Sequence, residues 1–245
     1  GKFAGLCEPA AIFAIVLSDI VGDPLDMIAS GPAYADSSTA SDAIAIAEKY
    51  HLKLSEKART LLEMETPKAV TNVETRITGS VRNLCLAAKE ACEKLGYESM
   101  ILTDALQCEA KEAGAFLAAI AKTHQNTDKS LAFIAGGETI VHVTGKGLGG
   151  RNQELALAAA EGLAACRNTA IFSVGSDGTD GPSDGAGGYC DVITIVKMQQ
   201  AGLDVYEVLK ENDAYHALKK TGGLIITGAT GTNVNDVAVV LIRVS

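Results

Sequence analysis

Four short stretches of this 245-residue chain gather Gly with Asp, Asn, Ser and Thr at the ends of predicted strands. Ligands of open α/β sheets sit at such ends. The densest stretch is Gly145-Lys146-Gly147-Leu148-Gly149-Gly150-Arg151-Asn152-Gln153-Glu154, preceded by Gly136-Gly137-Glu138-Thr139. Its glycines let backbone N–H groups come close to an anion, and the predicted helix that follows offers its positive N-terminus. Arg151 falls in the first turn of that helix, where a guanidinium can grip a carboxylate or phosphate at two points. Asn152, Gln153 and Glu154 add directional polar groups. The competing reading is a flexible glycine turn beside a surface arginine. Gly145, Gly147 and Gly150 also spell G-x-G-x-x-G, but the strand before them reads as the second arm of a hairpin, not the first strand of a βαβ unit. No G-x-x-x-x-G-K-[ST] occurs.

Two carboxylates and two hydroxyls mark the first loop, Ser18-Asp19-Ile20-Val21-Gly22-Asp23 and Ala29-Ser30-Gly31-Pro32. They suit a polar substrate or Mg²⁺, and equally a capped turn. The loop from Ser173 to Ala186 carries Asp177, Asp180 and Asp184 with the hydroxyls of Ser176, Thr179 and Ser183. Hard oxygen ligands of this kind suit Mg²⁺, with Asp177 and Asp180 as the candidate ligands; an ordinary Asp/Gly turn is the alternative. The spacing is not that of an EF-hand. The last loop, Thr227 to Asp236, offers Thr230, Thr232 and Asn233 to a phosphate or nucleotide, or else forms a hairpin turn. His51, His124, His142 and His216 are scattered, so no Ser/His/Asp or Cys/His arrangement can be read, and each is expected to be structural or exposed.

The elements that must position these loops alternate along the chain. Residues 11–18 form an apolar run read as a buried strand, and 41–50 and 55–63 read as helices. Thr66-Pro67 opens a linker. Strands are predicted at 76–78, 99–102, 131–135, 139–144, 169–174, 224–227 and 237–244, with helices at 81–95, 109–123, 151–166 and within 204–219. Gly136-Gly137-Glu138 reads as a hairpin turn, and 175–188 as a loop. The order predicts an α/β class with a mostly parallel sheet and helices on both faces.

Composition narrows the partners. A net charge of −9 argues against a nucleic-acid partner, since no basic face balances phosphates. Anions must then be held locally, by amides, single cations or a metal. No apolar run is long enough to span a membrane, and no signal peptide is evident. The six cysteines lack metal-ligand spacing and read as buried thiols in a reducing cytoplasm.

Together the loops resemble the glycerate 2-kinase family, whose C-terminal module is the MOFRL domain. The resembling stretches are Leu17 to Asp23, Ile28 to Pro32, Gly136 to Thr139, Gly149 to Glu154, Ser176 to Pro182 and Gly228 to Asp236, and they run through nearly the whole chain. Ala33, Ala229, Ser176 and Cys108 depart from the family's usual Thr, Pro, Thr and Gly. The resemblance implies residues 1–75 as the end of an N-terminal Rossmann-like domain and 76–245 as a MOFRL-type domain, with the active site between two α/β domains. It implies ATP, Mg²⁺ and phosphoryl transfer to D-glycerate, usually giving 2-phosphoglycerate, with Arg151 as the functional arginine. Ser18, Asp19, Ser30, Gly137, Glu138, Gly149, Gly150, Asn152, Glu154, Asp177, Thr179, Asp180, Thr230, Thr232 and Asn233 are the expected binding residues. The family's essential lysine has no counterpart here, and Lys2 is not a substitute. The chain is therefore expected to be the C-terminal portion of a longer enzyme and to need the missing segment; a homodimer is one expected assembly. A nicotinamide-dependent hydroxypyruvate reductase and a non-catalytic nucleotide-binding module are the alternatives.

Overall fold

The computed structural model describes residues 1–244, which form two compact units, the first Gly1–Thr78 and the second from Gly79 onward. In the first unit, α1 (Lys2–Cys7) precedes β1 (Ile12–Leu17), and α2 (Ala40–Lys49) and α3 (Glu56–Leu62) lead to β2 (Val73–Gly79). β1 and β2 form a two-stranded sheet. Asn72 ties the unit together, its Nδ2 donating to the carbonyls of Ala4 and Ala10. α2 starts where the sequence says it should. The Thr39 hydroxyl accepts from the Asp42 N–H while the Asp42 carboxylate accepts from the Thr39 N–H, a reciprocal capping box. Ser55 caps α3 through the Ala58 N–H. The 11–18 run is a strand but not a buried one. Phe13, Ile15 and Leu17 point to an exposed face, because two strands make a sheet with no described layer over that side.

The second unit runs α4 (Val81–Lys94), β3 (Glu98–Leu106), α5 (Ala110–Thr123), β4 (Leu131–Gly137), α6 (Arg151–Ala158), α7 (Ala160–Leu163) and β5 (Thr169–Gly175). Then come β6 (Gly187–Asp191), α8 (Thr194–Gln200), α9 (Val205–Lys210), α10 (Ala214–Thr221), β7 (Leu224–Ile225) and β8 (Asp236–Ile242). The α/β class and the helices on both faces hold. One layer is α4, whose Val81, Cys85 and Cys92 meet Ala132, Ile134, Val237 and Val239. The other layer is built on α5 and α6–α10 against Phe133, Ala135, Ile171, Cys190, Ala238 and Val240. Ala110, Ala113, Leu117 and Ala121 recur at helical spacing on the buried side of α5. Gly114 lets α5 close on α6: a Cβ there would stand 2.1 Å from the Leu155 carbonyl oxygen. All six cysteines are unpaired and four are buried, and burial pushes Cys85 up to about 11 and Cys190 to about 12.

The sheet is mostly antiparallel, not mostly parallel. Its order is β3-β4-β8-β5-β6-β7, and only β3 and β4 pair in parallel. The alternation of strands and helices correctly points β3, β4 and β5 the same way. The last strand, β8, then inserts between β4 and β5 and runs against both. This insertion places the first residue of β8, Asp236, level with the last residues of its two neighbours, Gly137 and Gly175.

Other expectations change locally. Residues 139–144 form no strand; a single bridge from Ile140 to Glu109 replaces the hairpin. The 151–166 helix divides at Ala159, where the Ala159 N–H donates to the Ala156 carbonyl in a tightened turn. The 175–188 loop ends in β6, whose two glycines hide its strand propensity. β7 pairs with β6 while β8 lies in mid-sheet, so residues 226–235 cross the sheet and are not a hairpin turn.

Candidate anion-binding site at the head of the sheet

The carboxyl ends of β4 and β5 and the head of β8 meet at one edge of the second unit, and α6 starts there. Arg151 is the first residue of α6, after Gly150 in an extended cap conformation. Its Nε donates to Asp236 Oδ2 at 2.6 Å and its Nη2 to Asp236 Oδ1 at 3.2 Å. Nη1 donates to Glu138 Oε1 at 2.8 Å. Three of the five guanidinium N–H groups are thus committed, which leaves one on each Nη. Burial opposes the charge, but the Asp236 hydrogen bonds and the Asp236, Glu138 and Asp180 carboxylates outweigh it and hold the Arg151 pKa above its ordinary value. Asp236 was not among the expected site residues. Its one sequence signal is a lone acid heading an apolar strand.

Beside Arg151 lies a cavity of about 600 Å³. Glu138, Gly149, Gly150, Arg151, Glu154, Asp177, Thr179 and Asp180 line it, together with Ile140, Val143 and Gly147. The N–H groups of Gly149, Gly150 and Arg151 donate to no acceptor among the described residues. Three amides without an acceptor, the helix N-terminus and the two remaining guanidinium N–H groups are the donors here that could hold an anion, beside the carboxylates of Glu138, Glu154, Asp177 and Asp180.

Gly147, Gly149 and Gly150 line the cavity, and Gly145 does not. Gly145 and Gly147 also serve a contact that their spacing does not suggest: a Cβ on either would come within 2.4 Å of Glu211 or Asp213. Their loop is docked on the 211–213 turn, with Gly145 N–H donating to Asn212 Oδ1 and Gly147 N–H to the Glu211 carbonyl. The G-x-G-x-x-G pattern is therefore no dinucleotide fingerprint here, since no strand leads directly into it and all three of its glycines are packed against protein.

Asp180, expected as a metal ligand, is 3% exposed and is engaged by the helix. Its Oδ1 accepts from the Asn152 N–H and Nδ2, and its Oδ2 from the Gln153 N–H. Both oxygens cap the N-terminus of α6. Burial pushes its pKa up to about 6, against the two amide bonds that favour the carboxylate. Asn152 and Gln153 point inward. Asn152 Oδ1 accepts from Ser173 Oγ at 2.6 Å, and Gln153 Nε2 donates to Ser183 Oγ at 2.8 Å. They pin the aspartate loop to α6, and Gln153 Oε1 stays buried without a hydrogen-bond partner. Glu154 is also nearly buried; burial raises its pKa, and it accepts from Asn212 Nδ2 at 3.1 Å.

Asp177 stays at the cavity, each of its oxygens accepting one bond from Thr179 at 2.9 Å. No group of three or more His, Cys, Asp and Glu side chains is gathered for a metal among the described residues. The donor set nevertheless fits Mg²⁺ held by one carboxylate and the oxygens of a bound phosphate, as this ion is commonly held. Thr230, Thr232 and Asn233 lie outside the cavity lining and brace its wall. Thr230 Oγ1 donates to the Ser176 carbonyl at 2.5 Å, and its N–H to the Asp177 carbonyl at 3.1 Å. The Thr232 N–H donates to Thr230 Oγ1, and Asn233 Oδ1 accepts from the Asn235 N–H. Gly137 is buried below the cavity with φ 150°, pressed against the Leu106 backbone. Ser18, Asp19 and Ser30 belong to the first unit. There Ser18 is buried and closes a local turn with Ile20, Asp19 is exposed, and Ser30 sits at φ 63° before Gly31. All four histidines are exposed.

Residues 131–236 match the MOFRL family, and residues 1–63 match a domain of unknown function, DUF4147. The D-glycerate 2-kinase of Thermotoga maritima is 50% identical over 246 residues, covering 99% of this chain and 59% of that protein. A glycerate kinase of Macaca fascicularis is 30% identical over 297 residues, covering 99% of this chain and 75% of that protein. The chain belongs to the glycerate 2-kinase family. The crystal structure of glycerate kinase from Thermotoga maritima superposes with a TM-score of 0.93 at 49% identity, over 99% of this chain and 60% of that one. Three of the stretches that carry the glycerate 2-kinase resemblance, 136–139, 149–154 and 176–182, supply most of the cavity lining. A fourth, 228–236, supplies Asp236 and the brace behind the aspartate loop.

Proposed function

We propose that this chain supplies the anion-gripping part of an ATP-dependent glycerate 2-kinase, which transfers a phosphoryl group to a hydroxyl of D-glycerate to give 2-phosphoglycerate. The observation that carries the reading is Arg151, locked by Asp236 and Glu138 at a helix start whose three neighbouring amides have no partner. Phosphoryl transfer is catalysed by positioning and charge neutralisation more than by covalent help, and that is the chemistry these groups offer. In this reading the two remaining Arg151 N–H groups hold the glycerate carboxylate or the transferring phosphoryl group. The Gly149, Gly150 and Arg151 amides hold phosphate oxygens. Asp177 holds Mg²⁺, which supplies charge screening when bound; Asp180 is given no ligand role and keeps α6 in place.

The chain spans 59% of the Thermotoga relative, so activity is assigned to the whole native polypeptide. Residues 1–75 are proposed as the end of a Rossmann-like domain and 76–245 as the MOFRL-type domain. Six unpaired thiols support work in a reducing cytoplasm. No helix among the described residues is long and apolar enough to cross a membrane. The test uses the native full-length protein in two assays. ADP release that requires both D-glycerate and Mg²⁺ is the expected result, with the phosphorylated carbon identified by ³¹P–¹H NMR. NADH oxidation dependent on hydroxypyruvate, without ADP release, would replace the kinase reading with a reductase.

A further inference from the structure

The wall of the Arg151 cavity depends on a residue that no motif singled out. Asn212 follows α9, is 9% exposed and holds a left-handed backbone with φ 53°, a conformation Asn tolerates better than most residues. Its Oδ1 accepts from the N–H groups of Thr144 at 2.8 Å and Gly145 at 2.9 Å. Its Nδ2 donates to the His142 carbonyl at 3.3 Å and to Glu154 Oε2 at 3.1 Å. One amide side chain therefore meets all four of its hydrogen-bonding requirements on two elements: the 142–145 loop and the third turn residue of α6 after Arg151. A second cavity, of about 550 Å³, lies beside the first, and Glu154 and Asn212 line both. Their hydrogen bond is part of the wall that the two share.

We infer that Asn212 is a positioning residue: it sets the height of the 142–149 loop over the Arg151 cavity and fixes the Glu154 carboxyl in the cavity wall. Two neighbours support the fit. Asp213 Oδ1 accepts from the Leu148 N–H at 2.9 Å, and the Tyr215 N–H donates to the Leu148 carbonyl at 2.9 Å. The 211–215 turn is thus the mould on which the loop is cast. Gly145 and Gly147 are the residues small enough to fit that mould.

The inference rests on the kinase reading for its activity readout, and a second readout keeps the two separable. Asn212→Gly keeps the left-handed backbone and deletes all four side-chain bonds. Asn212→Asp keeps the acceptor for Thr144 and Gly145 but sets a carboxylate oxygen against Glu154. Two carboxyls at that distance make one hydrogen bond only while they share a proton. The other charged groups around Glu154 and Asn212 are Lys111, Glu109 and Glu112 at the head of α5, His142 on the loop, Glu161 on α7, Lys210 at the end of α9, Asp213 beside Asn212, and Glu138, Arg151, Asp177 and Asp180 at the other cavity. All are common to wild type and variant, so a pH dependence found only in the ratio of their rates reports the added carboxyl and its coupling to this surrounding.

In the native full-length protein, Asn212→Gly should lower kcat/KM for glycerate phosphorylation about 100-fold at every pH from 5.5 to 8, the scale of a 1 Å misplacement. Asn212→Asp should approach wild type within about tenfold at pH 5.5 and fall at least tenfold further by pH 8, the titration of a shared proton. Amide exchange at Thr144 and Gly145 should accelerate in the glycine variant and stay slow in the aspartate variant at pH 5.5. A glycine variant within threefold of wild type, or an Asn212→Asp ratio flat with pH, overturns the inference. If wild type shows no glycerate-dependent turnover, the kinase reading fails, and the exchange rates alone decide whether Asn212 holds the loop.

Discussion

Replacing Arg151 by lysine keeps the positive charge and removes the fork, so it isolates the geometric part of the proposed role. In the structure the guanidinium makes three hydrogen bonds to two carboxylates, and Asp236, whose side chain is 10% exposed, depends on it for two of them. A lysine ammonium has three donors on a single nitrogen and cannot reach Asp236, Glu138 and a bound anion at once. The lost ligand contact is a pair of charge-assisted hydrogen bonds at about 1.5–3 kcal/mol each, of which about 3–4 kcal/mol survives after the lysine's own partial contact. At about 1.4 kcal/mol per decade, kcat/KM should fall roughly 100- to 1000-fold. Stability should change little, by about 1 kcal/mol, because Asp236 keeps a cation beside it and the Arg151 side chain is one-third exposed. The assay is glycerate-dependent ADP release by the native full-length protein, read beside a denaturant melt of the same sample. Activity within threefold of wild type would show that charge alone suffices and would remove the fork from the mechanism. A rate loss matched by an equal loss of folded protein would make Arg151 a structural residue.

Gly150→Ala should cost about 2–4 kcal/mol, because the new Cβ would lie 2.3 Å from Asp180 Cγ and displace the carboxylate that caps α6. Gly149→Ala, whose nearest neighbour is at 3.4 Å, should cost less than about 1 kcal/mol; equal melting of the two variants would contradict the packing argument. Asp180 titrates at about 6 in the fold against 3.8 when free, so the fold binds more protons between those values. Its contribution is present below about pH 4 and is lost as pH rises through 6, at most about 3 kcal/mol. Wild type should therefore lose stability relative to Asp180→Asn across that window, and a pH-independent gap between the two would refute it. Cys85 and Cys190, held near 11 and 12, should resist alkylation at pH 8 in the native protein and react on unfolding, as peptide mass spectrometry can score.

The site was legible where one short stretch of chain both forms and uses an element. Glycine before Arg151 marks a helix start, and a guanidinium there needs no distant information to be suspected of holding an anion. The capping residues Thr39, Ser55 and Ser80 fix three other helix starts in the same local way. The α/β class followed from strands and helices that alternate with turn residues between them.

Tertiary structure decided the partners. Asp236 stands 85 residues from Arg151, and nothing in its own neighbourhood says that β8 will enter the sheet between β4 and β5. Hydrophobic periodicity gives a strand's faces but not its neighbours, so the antiparallel insertion and the acid it delivers could not be read. Asp180 read as a metal ligand because an exposed and a buried aspartate look alike in a Gly-rich loop; its capture by the α6 amides appears only when the loop folds back. Likewise, Gly145 and Gly147 advertise close approach, and the sequence settles that much. Whether a glycine's missing side chain makes room for a ligand or for another turn of the same chain depends on what packs there, and here it is the turn at Asn212.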